Sequence, residues 1–271
     1  MIDSDGLLDL AFDDRGRGEA VVLLPPFPFD RRVWSETTIP ALTAAGFRTL
    51  AIDYPGFGAD AGTDPVPPDL SIASIADRTE GLLHQLGIRR AVVLGMSMGG
   101  YVALALAARF PERLAGLILA DTRATPDSPA ALAGRAQALE TLAGRGVDAY
   151  LAGSLPRLLA PEAPPAVLAA ARALAVTRAE ALEGGIRALR DRPDRSADAR
   201  ALACPTLVLC GAVDQVSPPA EMKELAATIP GAIFVEIPGA GHLSHLEAPE
   251  PFQRAVLDFL GGVARRPSER A

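Results

Sequence analysis

The chain has 271 residues, 49% hydrophobic and 22% charged, enough for one α/β domain with a sizeable core and too apolar for disorder. A net charge of -7 offers no basic stripe to neutralise phosphates, which argues against a nucleic-acid partner. No apolar segment reaches the length of a membrane span and the N-terminus carries no secretory pattern, so the expectation is a cytoplasmic protein without membrane contact, a monomer or small homo-oligomer.

Along the chain, short apolar runs alternate with longer helical patterns. That rhythm predicts βαβ units and a mostly parallel, twisted sheet with helices on both faces. Strands are predicted near Leu7–Phe12, Ala20–Leu24, Phe47–Ile52, Ala91–Leu94, Gly116–Leu119, Thr206–Leu209 and Ile233–Glu236. The first reads as an antiparallel edge strand, followed by turn chemistry over Asp13–Gly18. Helices are predicted over Ser35–Ala45, Ser71–Leu86, Met98–Arg109, Pro219–Thr228 and Pro249–Leu260. Glycines 46 and 87 stop the first two, Phe110-Pro111 stops the third, and proline opens the last two. Arg265–Ala271 read as a frayed tail.

Residues 122–195 break the rhythm. They are rich in Ala, Leu and Arg, carry helical periodicity and hold no strand-like run. The expected division is a core of residues 1–121 and 196–271, with 122–195 as a helical cap of about four short helices inserted between two strands. Cys204 and Cys210 flank or enter one predicted strand, cannot easily bridge along it, and read as reduced thiols. No His, Cys and carboxylate cluster has metal-ligand spacing, and no nucleotide cofactor is implied.

The segment Leu94-Gly95-Met96-Ser97-Met98-Gly99-Gly100 follows a strand and precedes a helix. In G-x-S-x-G at such a junction, the serine sits on a sharp, strained turn with its hydroxyl raised above the carboxyl ends of the strands. Side chains at 95 and 99 would strike the neighbouring helix and strand. The helix then aims its first N–H groups at the point where an oxyanion would form.

A serine hydroxyl needs a base, and only His84, His242 and His245 are available. His84 lies within a predicted helix and reads as a surface residue. His242 follows the last predicted strand in the glycine-flanked loop Pro238–Leu243, where an imidazole can swing towards Ser97. His245 reads as structural or on a pocket rim. For the acid, Asp214 follows the penultimate strand, and Asp121, at the end of the Gly116–Leu119 strand, is the rival. Either carboxylate could hold the imidazole tautomer.

The stretches GMSMGGYVALALAARFPERLAGLILADTRA, PTLVLCGAVDQVSPPAEM and IPGAGHLSHLEAPEPF resemble the α/β-hydrolase superfamily across nearly the whole chain. Within it, the chain is similar to small carboxylesterases and the 3-oxoadipate enol-lactonase group. The resemblance implies an α/β-hydrolase fold and the chain order Ser97, Asp214, His242, which favours Asp214 over Asp121. It also implies an oxyanion hole formed by the N–H groups of Phe27 and Met98. Relatives usually carry His-Gly-x in the loop after the Ala20–Leu24 strand. Here Pro25 and Pro26 stand at the His and Gly positions and have no N–H, whereas Phe27 keeps its own. A cis bond before Pro28 is an option for that loop. Asp53-Tyr54-Pro55-Gly56-Phe57-Gly58 resembles the family's D-x-x-G-x-G loop, with Asp60 where serine is usual, and reads as a structural turn beside the active-site loop.

The expected reaction is acyl transfer on a small ester or lactone through a covalent Ser97 intermediate. A cofactor-free perhydrolase, a carbon–carbon bond hydrolase and a catalytically weak ligand-binding relative are the alternatives. Phe29, Trp34, Met98 and Leu243 are candidate pocket walls. Arg123, Arg157 and Arg31 are the cations a substrate carboxylate would want.

Overall fold

A computed structural model of the chain describes residues 10–58 and 65–265. Its central Val- and Leu-rich runs form strands buried on both faces, as a parallel sheet requires, and partly exposed strands close its two edges. In chain order these are β1 (Phe12–Gly16), β2 (Ala20–Leu24), β3 (Arg48–Ile52), β4 (Ala91–Met96), β5 (Leu114–Ala120), β6 (Thr206–Gly211) and β7 (Ile233–Ile237). They pair in the order β1-β3-β2-β4-β5-β6-β7, and every pairing but β1 with β3 is parallel.

The edge strand is antiparallel as expected but displaced. It runs through Asp13–Gly16, the stretch read as a turn, while residues 7–9 of the predicted strand lie outside the described residues. An exposed rim explains the difference. Asp14 pairs with Arg48 of β3 through bonds of 2.9 and 2.6 Å, and charge on an edge strand discourages further pairing.

Helix α1 (Thr38–Ala44) is shorter than predicted, because a 3-10 turn over Arg31–Trp34 precedes it. That turn is capped by Asp30, whose carboxylate accepts from Arg32 N at 2.9 Å. Helix α2 (Ile72–Gln85) opens with a reciprocal capping box between Ser71 and Ser74. Helix α3 (Met98–Arg109) matches its prediction. Helix α8 (Pro219–Thr228) also matches, and α10 (Pro249–Ala264) runs one turn longer than expected. The crossover from β2 to β3 steps one way across the sheet and that from β3 to β4 the other, so right-handed connections put α1 and α2 on opposite faces. Accordingly α1 packs with α10 and α2 with α3.

Between β5 and β6 the chain is helical: α4 (Pro129–Ser154), a 3-10 turn (Leu155–Leu158), α5 (Pro165–Leu174) and α6 (Ala179–Arg190). Helix α4 spans 26 residues and breaks at Gly146, where φ is 80°. A short helix not foreseen, α7 (Ser196–Arg200), returns the chain to the sheet, and α9 (Ser244–Glu247) is a single turn after β7. Among the described residues no helix is long and apolar enough to cross a membrane.

Candidate active site

The serine loop shows why this sequence turns so sharply. Ser97 takes φ 51° and ψ -113°, a region L-residues rarely occupy. Two hydrogen bonds hold it there: its N–H donates to Ala120 O at 2.9 Å, and its carbonyl accepts from Thr122 Oγ1 at 2.8 Å. A Cβ at Gly95 would overlap the backbone of Gly99, and one at Gly99 would overlap the backbone of Leu24 on β2. The two glycines therefore let β4, α3 and β2 close around the serine.

Three loops at the carboxyl ends of the strands converge here. His242, 2% exposed, lies 2.8 Å from Ser97 Oγ through Nε2 and 2.8 Å from Asp214 Oδ2 through Nδ1. An ionised carboxylate only accepts, so Nδ1 carries the proton and Nε2 is left to accept from the serine. Asp214 is itself fixed, since its Oδ1 accepts from Val216 N at 2.7 Å and Ser217 N at 3.0 Å.

The rival acid has a different position. Asp121 is fully buried and accepts from Gly211 N at 2.7 Å and Ser244 Oγ at 2.5 Å, tying β5 to β6 and to α9. Burial, and then the charge of Asp214, push its carboxyl well above the usual aspartate range.

Of the other histidines, His84 is exposed on α2 and lies 3.5 Å from Arg113. His245 is fully buried against Trp34 and Phe252, at 4.8 and 6.0 Å between ring centroids. Burial, with His242 as the lesser cause, drives its imidazole down to about 3, so it stays neutral.

Met98 follows Ser97 as the first residue of α3, and Phe27 lies in the proline-rich loop after β2. Among the described residues neither N–H donates a hydrogen bond. The proline-rich loop is a tight turn with a cis Phe27-Pro28 bond, closed by Phe29 N–H donating to Pro26 O at 2.9 Å. The loop after β3 supports it. Tyr54 OH donates to Pro25 O at 2.6 Å, and the Phe57 ring meets Phe27 edge-on at 6.1 Å. Asp53 accepts from Arg31 N at 2.7 Å and binds its guanidinium. Asp60 lies outside the described residues.

The remaining candidates are dispersed. Arg123 donates to Val216 O and lies 3.3 Å from Glu221, in a groove between the start of the insertion and α8. Arg157 is exposed on the 3-10 turn. Phe29 and Leu243 are fully buried beside the proline-rich loop and His242, and Trp34 lies behind His245. Phe29 also bridges to Ala175 of the insertion.

Glu247 escaped the sequence reading. Its carboxylate accepts from Gly241 N at 3.0 Å, Leu243 N at 3.3 Å and Ala160 N at 2.7 Å. The one available signal was a carboxylate five residues past the histidine, at the close of the same loop.

Comparison with known proteins bears on the family and the fold. Residues 21–255 match the model of the alpha/beta hydrolase family. A thermophilic esterase from Thermogutta terrifontis is 38% identical with a TM-score of 0.84, over 94% of this chain and 93% of that one. The enol-lactonase from Burkholderia xenovorans is 30% identical with a TM-score of 0.81, over 93% of this chain and 96% of that one. A Mycobacterium tuberculosis protein named as a non-heme bromoperoxidase is 29% identical over 95% of this chain and 99% of its own length.

Proposed function

Because the chain belongs to the α/β-hydrolase family, we propose that it is a serine hydrolase that cleaves a small carboxylic ester or lactone through an acyl-enzyme on Ser97. The observation that carries this reading is the unbroken relay from Ser97 Oγ through His242 to Asp214; the N–H groups of Phe27 and Met98, which donate to no described residue, are the proposed oxyanion donors. Ser97 Oγ attacks the carbonyl carbon as its proton passes to His242 Nε2. The Nδ1–H bond to Asp214 stabilises the imidazolium, and Phe27 and Met98 N–H groups receive the oxyanion. The carbon–oxygen bond to the alcohol then breaks, and Nε2 returns its proton to the leaving oxygen. Water repeats the sequence on the acyl-enzyme, with His242 again taking and returning one proton.

The esterase and enol-lactonase relatives support the substrate class. Residues 122–195 are proposed as a cap over the site, because they touch both of its walls. Val176 N–H donates to Pro28 O at 2.9 Å on the oxyanion side, and Leu243 N–H donates to Leu158 O at 3.1 Å on the base side. Arg31 and Arg123, two of the three candidate cations, are already engaged, which favours a neutral ester over an anionic one. Phe29 and Leu243 are the proposed apolar walls. The relative named as a bromoperoxidase favours perhydrolysis as the second reading, in which peroxide replaces water on the same acyl-enzyme.

Burst kinetics with p-nitrophenyl acetate and butyrate test the proposal. The wild type should show a burst and turnover, and Ser97→Ala should lose roughly 10⁴-fold or more in kcat. Absence of turnover and of an acyl adduct by intact mass would defeat it. Addition of peroxide, with peracid assayed, separates the second reading.

A further inference from the structure

The loop that carries His242 is short, rich in glycine and held by few side chains, yet the base must keep a 2.8 Å contact with Ser97. Glu247 closes α9 and turns its carboxylate back under that loop. Its Oε1 accepts from Gly241 N and Leu243 N, the residues on either side of His242, and its Oε2 accepts from Ala160 N of the helical insertion. A Cβ at Gly241 would overlap Ala160 N and the Leu159 carbonyl carbon, so the two backbones lie against one another. Leu243 N–H also donates to Leu158 O at 3.1 Å, which makes the contact two-sided.

We infer that Glu247 is a positioning residue: its carboxylate sets the placement of His242 and fastens residues 158–160 of the insertion to the base loop, so that the base is aligned only while the insertion is seated. The inference rests on the serine-hydrolase reading. Each carboxylate oxygen serves a different chain segment, and no neutral group of this size accepts on both sides. Burial holds the Glu247 carboxyl above its ordinary value while the three N–H donors oppose that rise, as expected of a group kept for its bonds. Nothing in this role brings Glu247 to the reacting atoms.

Glu247→Gln is the direct test. The amide retains one accepting oxygen and turns an NH₂ donor against either Ala160 N–H or the two loop N–H groups. The expected result is a fall in kcat of roughly tenfold to a hundredfold, as for about 1 Å of misplacement, with KM within about twofold. Labelling of Ser97 by a fluorophosphonate should slow in parallel. Glu247→Asp keeps the charge but is one methylene too short to span both segments, and serves if the glutamine variant does not fold; it should lose kcat in the same manner. Hydrogen exchange on the wild type gives a measurement that needs no variant: the amides of Ala160, Gly241 and Leu243 should open together. A folded variant with wild-type kcat, or independent opening of those amides, overturns the inference. A wild type that neither turns over esters nor takes the fluorophosphonate overturns the parent reading instead.

Discussion

Asp121 and Asp214 lie close enough to influence one another's charge, and their different bonds separate their roles. Asp214 Oδ2 accepts from His242 Nδ1–H, so Asp214→Asn would present an amide donor there and force the wrong tautomer; kcat should fall by roughly 10⁴-fold in an ester assay. Asp121 bonds only structural groups, and Asp121→Asn keeps both contacts, accepting from Gly211 N and donating to Ser244 Oγ. Its raised carboxyl also gives a pH signature. The folded state holds the proton at pH values where the unfolded chain has lost it, so its contribution to stability is full below the ordinary aspartate value and is lost as pH rises. Replacement by Asn removes that slope, at most about 1.4 kcal/mol per pH unit. Melting curves from pH 4 to 8 should show Asp121→Asn gaining on the wild type with pH; parallel curves would refute the assignment. At this scale Ser97, His242 and Asp214 were legible because each sits just past a strand within a recognisable local pattern. Glu247 was not, because a carboxylate that accepts from three distant N–H groups leaves no spacing to read.

At the scale of the element, apolar runs located six of the seven described strands to within two residues at most of their bounds: five are largely buried and so apolar, and β7, partly exposed at the far edge, still carries Ile233, Phe234, Val235 and Ile237. The edge strand β1 escaped because its Asp and Arg residues answer to solvent rather than to a core. Helix α4 is longer than the short helices expected of the insertion, because the chain breaks at Gly146 and continues as helix. The elements also rank by what they support. Ser71→Ala removes the cap of α2, and a loss of about 1 kcal/mol should lower Tm by roughly 2–4 °C with turnover unchanged. Gly99→Ala, by contrast, drives a Cβ into the backbone of Leu24, which leads directly into the proline-rich loop bearing Phe27. That change should cost about 3 kcal/mol and reduce turnover as well, through a displaced Phe27 N–H. Thermal unfolding and ester kinetics on the same two samples distinguish a helix that only stabilises from a junction that also shapes the site.

At the scale of the molecule, the question is how a helical insertion stays registered on a sheet. Composition pointed to helices between two strands, but how they dock depends on contacts distant in sequence, which no local pattern encodes. Arg192, at its exit, donates to Leu189 O at 2.8 Å and Thr125 O at 3.2 Å, pairs with Asp127 at 2.7 Å, and lies 4.2 Å from the ring centroid of Tyr101 on α3. Both charged side chains are 2% exposed, and Arg135 holds the second oxygen of Asp127 at 3.0 Å. Burial pushes the Asp127 carboxyl up, Arg135 and Arg192 pull it down, and the pull prevails, so the pair is ionised. One guanidinium thus joins the two ends of the insertion to each other and to the helix that follows Ser97. Removing one partner from a buried pair leaves the other uncompensated, so Arg192→Met should destabilise by roughly 3 kcal/mol, somewhat less where Arg135 compensates. Because the insertion also bonds Pro28 and Leu243, its loosening should reach the site. The expected result is faster proteolysis within residues 122–195 and a lower kcat. Equal stability with unchanged cleavage would show that the helices are held by apolar packing alone, and that the ion pair sets orientation without anchoring the insertion.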